Sequence, residues 1–349
     1  MLRGLLLAAL ATVLLLVFAI NGGRYEGPPS DHFDGAHFHN LTPTERSADA
    51  LMSLLTTDWR SDWHEVAAPT VEPPPRHVAG AQLAVTLIGH STVLLQTGGL
   101  NILTDPVWSE RAGPLSFLGA RRYRPPSLPL SDLPPIDVVL ISHSHYDHLD
   151  LATLRALAER DAPLFLLGLG NAETLRRAGI ESRVSTLDWW QTVALPGEIA
   201  VTAVPGQHWS SRGLLDRNHT LWLGFVIEAP GGPIYFAGDT AMGPHFVQIA
   251  RRFGPPRLAL LPIGAYRPAA LMRGSHLSPA QAVAAHGLLD AARSIPIHWG
   301  TFRLSAEGMD APVRALETAR RRAGLPAETF AVVPFGQRQE IAPLPATTR

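Results

Sequence analysis

From Gln82 onward the chain reads as short apolar runs of strand length, at 83–88, 92–96, 101–104, 137–142, 163–167, 198–204, 221–228, 233–237, 257–262 and 293–297. Between them, apolar positions recur at helical spacing over about 151–160, 171–178, 244–253, 278–289 and 311–323. Strands come first as a run and then alternate with helices. That order predicts an α/β fold of the layered, α+β kind rather than a purely parallel sheet. The region contains no internal repeat and no low-complexity tract.

The first eighty residues read differently. Met1-Leu-Arg3 leads into Gly4–Ile20, which carries no charge and would span roughly 25 Å as a helix, the short end for a bilayer. Residues 1–20 are therefore expected to be a signal peptide or an uncleaved membrane anchor. Positive charge precedes the run, whereas Arg24, Glu26, Asp31 and Asp34 follow it, which favours export of the globular part to the periplasmic side. The cytoplasmic membrane face is the second arrangement. Residues 21–80 are rich in proline and histidine and are expected to form an extension packed on the main domain, 81–349, with one helix around Pro43–Thr56. Three histidines, His32, His37 and His39, are expected to be loop residues satisfied by backbone groups rather than metal ligands.

Composition narrows the chemistry. With 46% apolar and 17% charged residues, the 349-residue chain has ample material for a core. A formal charge of −1 gives no electrostatic case for nucleic acid. There is no cysteine and no lysine, which excludes disulfides, thiolate metal sites, Schiff-base chemistry and the P-loop lysine. Against these stand 15 histidines, so any metal site is of the nitrogen–oxygen type. A half-match to a dinucleotide fingerprint, Gly168-Leu-Gly170-Asn-Ala-Glu, lacks its third glycine and counts for little.

The decisive stretch is Val138-Val-Leu-Ile-Ser-His143-Ser-His145-Tyr-Asp147-His148-Leu-Asp150. Residues i and i+2 of a strand share a side, so His143 and His145 can share one ion. Asp147 and His148, at the start of the next helix, face the same spot after a turn. Four donors in six residues exceed what one tetrahedral ion takes from a single segment, and two adjacent metals are the natural reading.

His143-x-His145-x-Asp147-His148 at a strand end resembles the signature of the metallo-β-lactamase superfamily. Its remaining ligands are expected at later strand ends in the order His, Asp, His, and His208, Asp239 and His298 stand in those places. The resemblance implies an αββα sandwich in which His143, His145 and His208 hold one ion, Asp147, His148 and His298 the other, and Asp239 bridges. Two Zn²⁺ suit these donors, and iron or manganese is compatible with them. Such a pair would activate water at neutral pH and polarise a phosphoryl oxygen.

Further motifs resemble the N-acylphosphatidylethanolamine-hydrolysing phospholipase D family: Leu87-Ile-Gly-His90-Ser-Thr, Ile102-Leu-Thr-Asp105-Pro-Val-Trp108-Ser, Gln207-His-Trp-Ser-Ser-Arg212, Leu261-Pro-Ile-Gly-Ala-Tyr266, His276-Leu-Ser-Pro-Ala-Gln-Ala-Val283 and Ile297-His-Trp-Gly-Thr-Phe302. They cover roughly residues 83–305, although Ala269–Ser275 depart from the animal enzymes. The resemblance implies a membrane phospholipid or other phosphodiester as partner, and a homodimer.

Around the expected ligands, Asp105 is a candidate to orient a ligand imidazole or a plain turn residue before Pro106. His90 is a candidate to reach the cluster or an ordinary core histidine. Asp150 is expected to cap a helix or brace the ligand loop. His276 is the candidate general acid for a leaving alkoxide, or simply the flank of a helix opened by Ser278-Pro279. Tyr146, Trp209, Tyr266 and Trp299 are candidate pocket walls, with packing the alternative for each. Two other functions fit the residues: a metal-dependent hydrolase of lactones, β-lactams or other esters, and a non-catalytic metal-binding envelope protein.

Overall fold

The computed structural model describes residues 21–43, 48–180 and 183–345. The apolar run at 4–20, and with it the expected leader or anchor, lies outside the described residues. So do residues 44–47, and the helix expected over 43–56 is seen from Ala48 to Thr56 (α1). Among the described residues no helix is long and apolar enough to cross a membrane.

The main domain opens with β1 (Leu83–Gly89), β2 (Thr92–Thr97), β3 (Leu100–Thr104) and a small hairpin of β4 (Arg111–Leu115) and β5 (Leu118–Arg121). Then follow β6 (Val138–Ile141), α2 (Leu151–Asp161), β7 (Leu164–Gly168), α3 (Ala172–Arg177), β8 (Val184–Leu187), β9 (Thr192–Leu195), β10 (Ile199–Val204) and β11 (Gly224–Glu228). The chain continues with β12 (Ile234–Phe236), α4 (His245–Phe253), β13 (Leu258–Pro262), α5 (Ala269–Met272), α6 (Pro279–Leu289), β14 (Ser294–Ile297), α7 (Ala311–Arg322) and β15 (Gln339–Glu340).

The strands form a seven-stranded sheet, β15-β1-β2-β3-β6-β7-β8, and a six-stranded sheet, β14-β13-β12-β11-β10-β9. Both are mixed. The apolar runs look continuous because both faces of each strand are covered, yet the period of two survives in where the side chains go. In the first sheet Val85, Leu87, Val93, Leu95, Ile102, Leu140 and Leu166 enter the cluster shared with the second sheet. Their neighbours Ile88, Leu94, Leu103, Val139, Ile141, Phe165 and Leu167 enter a second cluster with Leu154 and Leu157 of α2 and Leu175 of α3. On the far side of the second sheet, α6 contributes Ala282, Ala285 and Leu289 to the larger cluster. The layers are helix, sheet, sheet, helix, the αββα sandwich.

The direction of the strands places the chemistry. β3 runs parallel to β6, and β1 parallel to both through two antiparallel steps. In the other sheet β10, β12 and β14 share one direction. The carboxyl ends of β1, β3, β6, β10, β12 and β14 are followed by His90, Asp105, His143, His208, Asp239 and His298.

Residues 21–43 lie against this domain. Tyr25 packs on Phe33 and Phe38 at 5.0 and 5.6 Å between ring centroids, and the Tyr25 N–H donates to the His219 carbonyl at 3.0 Å. The half-matched dinucleotide loop serves this contact. Gly170 has φ 83°, and a Cβ there would stand 2.8 Å from the Tyr25 nitrogen. The glycine thus admits the chain's own backbone. Two histidines of this segment find carboxylates rather than the backbone partners expected: His32 bonds Asp31 and Asp188 and stacks on Trp189, and His39 bonds Asp34 at 2.9 Å, whereas the His37 ring lies 5.3 Å from that of His219.

Candidate metal centre

Six strand ends converge on one cluster of imidazoles and carboxylates. His143 Nε2 and His145 Nδ1 stand 2.7 Å apart, and His208 Nε2 is 3.3 Å from the same His145 nitrogen. Beside them Asp239 Oδ2 lies 3.3 Å from His148 Nε2 and 3.0 Å from His298 Nε2, and Asp147 Oδ2 is 3.4 Å from each of those two nitrogens. Donor atoms of His143, His145 and His208 lie within 4.8 Å of one another, as do those of His90, Asp147, His148 and His298, and those of His143, His148 and Asp239. Asp239 therefore sits between two donor groups.

The backbone aims these side chains. His90, Asp105 and His298 adopt left-handed conformations, with φ of 53°, 32° and 60°. Strain of this kind persists where the surroundings fix it. Here the His298 N–H donates to the His90 carbonyl at 2.9 Å, and the His90 N–H to Thr301 Oγ1 at 2.9 Å. Asp239 follows Gly238, at φ 59°.

Three of the ring nitrogens turned away from the cluster are fixed. Asp105 accepts from His148 Nδ1 at 2.7 Å and from the Ser142 N–H and Oγ–H at 2.7 and 2.6 Å. Ser142 Oγ also bonds His143 Nδ1 at 2.9 Å, and the Ser275 carbonyl accepts from His208 Nδ1 at 2.8 Å. Those bonds set tautomers that direct Nε2 inward in all three rings. His90 Nε2 bonds Asp147 Oδ2 at 3.0 Å and so holds that carboxylate.

The donor set fits a metal. His148 Nε2, His298 Nε2 and Asp239 Oδ1 are buried without a hydrogen-bond partner. Each such atom costs about 1–3 kcal/mol unless something fills the gap. The electrostatics make the same demand. Burial opposes the Asp239 and Asp147 carboxylates, but the neighbouring imidazoles outweigh it and hold both far below the ordinary carboxylate range. His148 is conversely pushed well up, and His298 up to about 9, because nearby carboxylates overcome their burial. The carboxylates call for positive charge between the two donor groups. His143 and His208 are driven well down by burial and by neighbouring histidines, which leaves them neutral, the state that binds metal.

A cavity of about 390 Å³ opens on the cluster and is lined by His145, Tyr146, Asp147, Trp209, Asp239, His276 and His298, with Ala112, Met272 and Leu304 on its apolar side. His276 is more enclosed than a loop-rim position predicts. Its Nδ1 lies 3.7 Å from Asp239 Oδ2 and its ring 5.0 Å from that of His208. Trp209 meets His145 edge-on at 4.2 Å. Two of the expected wall residues are elsewhere. Trp299 is buried, donates to the Pro296 carbonyl and packs on Phe335, because the turn at His298 sends successive side chains to opposite faces. Tyr266 does not line the cavity; its neighbour Ala265 does. Asp150 caps α2 through Ala152 N and also accepts from the Trp108 and Ser109 N–H groups.

One residue escaped sequence reasoning. The buried Arg212 donates to the carbonyls of Ser144 and Leu149 at 2.8 Å each, with its guanidinium 4.0 Å over the Tyr146 ring. It clamps the ligand loop from both sides. Only its membership of the Gln207–Arg212 motif marked it, since a surface arginine reads the same in sequence.

Comparison with known proteins agrees with this geometry. Residues 100–299 match the family described as the Beta-lactamase superfamily domain. An uncharacterized protein of Mycobacterium tuberculosis is 40% identical over 318 residues, covering 87% of this chain and 82% of the relative. The N-acyl-phosphatidylethanolamine-hydrolyzing phospholipase D 1 of Caenorhabditis elegans is 39% identical over 229 residues, 63% of this chain and 64% of that protein. Among solved structures, a metallo hydrolase from the archaeon Ignicoccus hospitalis superposes with a TM-score of 0.56 at 22% identity, covering 74% of this chain and 98% of that one.

Proposed function

The chain belongs to the metallo-β-lactamase superfamily and is a metal-dependent hydrolase, and from that premise we propose that it is a binuclear zinc phosphodiesterase of the phospholipase D type. Its proposed reaction cleaves N-acylphosphatidylethanolamine to phosphatidate and N-acylethanolamine. The observation that carries the binuclear reading is Asp239, shared by two groups of buried, inward-facing donors. The likeness to the nematode phospholipase D supports the substrate.

In this reading His143, His145 and His208 hold one ion, Asp147, His148 and His298 the second, and Asp239 both. When bound, the ions supply Lewis acidity toward a phosphoryl oxygen and make water a nucleophile at neutral pH. The protein does the rest. Asp105, Ser142 and the Ser275 carbonyl fix the imidazoles, and His90 holds Asp147. Tyr146 and Trp209 wall the cavity, Met272 and Leu304 receive apolar parts of the substrate, and His276 donates a hydrogen bond to the departing oxygen. Residues 1–20 act as a leader or anchor and place the domain at a membrane, on the periplasmic side, and the chain works as a homodimer.

The test combines metal quantification with product analysis on N-acylphosphatidylethanolamine, bis(p-nitrophenyl) phosphate, an acyl-lactone and nitrocefin. Two ions per chain and phosphodiester cleavage are expected, with Asp239→Asn inactive and His276→Ala impaired. A profile confined to lactone or lactam overturns the phosphodiesterase reading, and full activity of Asp239→Asn overturns the shared carboxylate.

A further inference from the structure

Two exposed apolar tips stand beside the mouth of the metal cavity. The β4–β5 hairpin, whose Ala112 lines that cavity, turns through Phe117, which is 74% exposed, and Leu118. The loop after Trp209, whose Ser211 and Arg212 line the same cavity, ends in Leu214, 77% exposed, and Leu215. Among the described residues nothing covers these large side chains, and grouped apolar exposure marks a surface for association.

The described chain begins at this place. Asn21 Oδ1 accepts from the Leu215 N–H at 3.4 Å, and the Gly22 N–H donates to Asp216 at 2.6 Å, so the described chain begins pinned to the Leu214–Leu215 loop. The seventeen residues of Gly4–Ile20 immediately before it carry no charge. Between hairpin and loop lies a second cavity of about 280 Å³ whose wall includes Asn21, Pro114, Arg155, Arg177 and Arg212; Arg177 pairs with Glu173 and Arg212 is buried and donates inward, which leaves the exposed Arg155 as the cation at its edge. Apolar tips beside a basic recess and an apolar chain end match the layers of a bilayer surface, acyl chains under phosphates.

We propose that the β4–β5 hairpin tip and the Leu214–Leu215 loop are the face on which the protein rests on a lipid bilayer, turning the mouth of the metal cavity toward the membrane. The proposal rests on the reading of the substrate as a membrane lipid, and it names how the site reaches it. The tips dip among acyl chains, the Arg155 guanidinium meets a lipid phosphate, and the substrate slides from the leaflet into the cavity without crossing water.

The absence of native cysteine makes the test direct. Phe117→Cys, Leu214→Cys and, on the exposed face of α7, Arg321→Cys each carry an environment-sensitive fluorophore in the full chain, reconstituted in vesicles of phosphatidylcholine and phosphatidylglycerol. Labels at 117 and 214 are expected to shift to the blue and to be quenched by doxyl-labelled lipid, and the label at 321 to do neither. Water-like emission at 117 and 214 overturns the proposal. So does a blue shift that appears in detergent without lipid and grows with protein concentration, which identifies a contact between copies instead. As a second readout, Phe117→Asp with Leu214→Asp should slow hydrolysis of vesicle-borne lipid at least roughly tenfold and leave bis(p-nitrophenyl) phosphate turnover unchanged. Equal loss on both substrates overturns the docking role. If the labels enter the bilayer while no phospholipid is hydrolysed, docking stands and the substrate reading fails.

Discussion

Replacing Asp105 by asparagine tests how the cluster is held, because the change keeps shape while turning one acceptor oxygen into a donor and removing the charge. Asp105 is fully buried and accepts three hydrogen bonds, two from Ser142 and one from His148 Nδ1. An asparagine that keeps its oxygen on the Ser142 N–H turns its amide N–H toward His148 Nδ1. The ring must then accept there and carry its proton on Nε2, the atom that faces Asp147 and Asp239 at 3.4 and 3.3 Å. A protonated Nε2 offers no lone pair to a metal. Retaining the original tautomer instead sets two buried donors against each other, at a cost of about 1–3 kcal/mol. At about 1.4 kcal/mol per tenfold, that cost corresponds to one or two orders of magnitude in metal affinity, in line with the roughly 10–100-fold typical of groups that orient a ligand. The assay is zinc competition against a chromogenic chelator, beside urea unfolding of the metal-free chain. Asp150→Asn is the comparison: it keeps the cap on Ala152 but sets its amide against the Trp108 and Ser109 N–H groups without touching a histidine of the cluster, so it should cost about 1–3 kcal/mol of stability and leave zinc affinity alone. Wild-type zinc affinity in Asp105→Asn, or equal loss in both variants, would refute the reasoning.

Arg212→Met leaves the Ser144 and Leu149 carbonyls without their donor, and urea denaturation should show a loss of about 2–4 kcal/mol; a change within error would mean that the clamp is idle. Chelation by EDTA should abolish hydrolysis and lower Tm, with zinc restoring both, because a ligand bound only by the native state stabilises it; an unchanged Tm and activity would contradict the metal site. Burial opposes charge on His32, but its bonds to Asp188 and Asp31 win and raise its pKa above the ordinary 6.5. Its charged form therefore secures the 21–43 segment fully below about pH 6.5, and that contribution fades as pH rises through the raised folded value. The protection factors of the Tyr25 and Phe38 amides, taken against the intrinsic base-catalysed rate, should fall over that upper range and lose this dependence in His32→Ala; an identical profile in the variant would sink the claim.

The fold was legible wherever burial alone decided an element. The run at 137–142 became β6, Val138–Ile141, because both its faces are covered, and the Ser278-Pro279 start became a full capping box with Gln281. What stayed hidden depends on neighbours. β8 and β9 are short and half-exposed, and β4 and β5 are rich in glycine and arginine, so no apolar pattern announces them. In the site, histidines and aspartates at strand ends were visible as motifs, and the structure brings all seven expected donors together. Their supports were visible less often, because Ser142, the Ser275 carbonyl and Arg212 act through positions that only the folded backbone creates. For Trp299 the sequence left wall and packing open, and the structure places it in the core.

The convergence of strand ends from two sheets also orders events in time. His143, His145, Asp147 and His148 follow a strand of the first sheet, whereas His208, Asp239 and His298 follow strands of the second. Each donor group draws on both sheets, so neither half of the chain holds a complete set. A ribosome releases His298 more than 140 residues after His143–His148. A half-made chain therefore lacks both full donor groups, and a bound cation would be the rivet that locks two finished sheets at their shared rim.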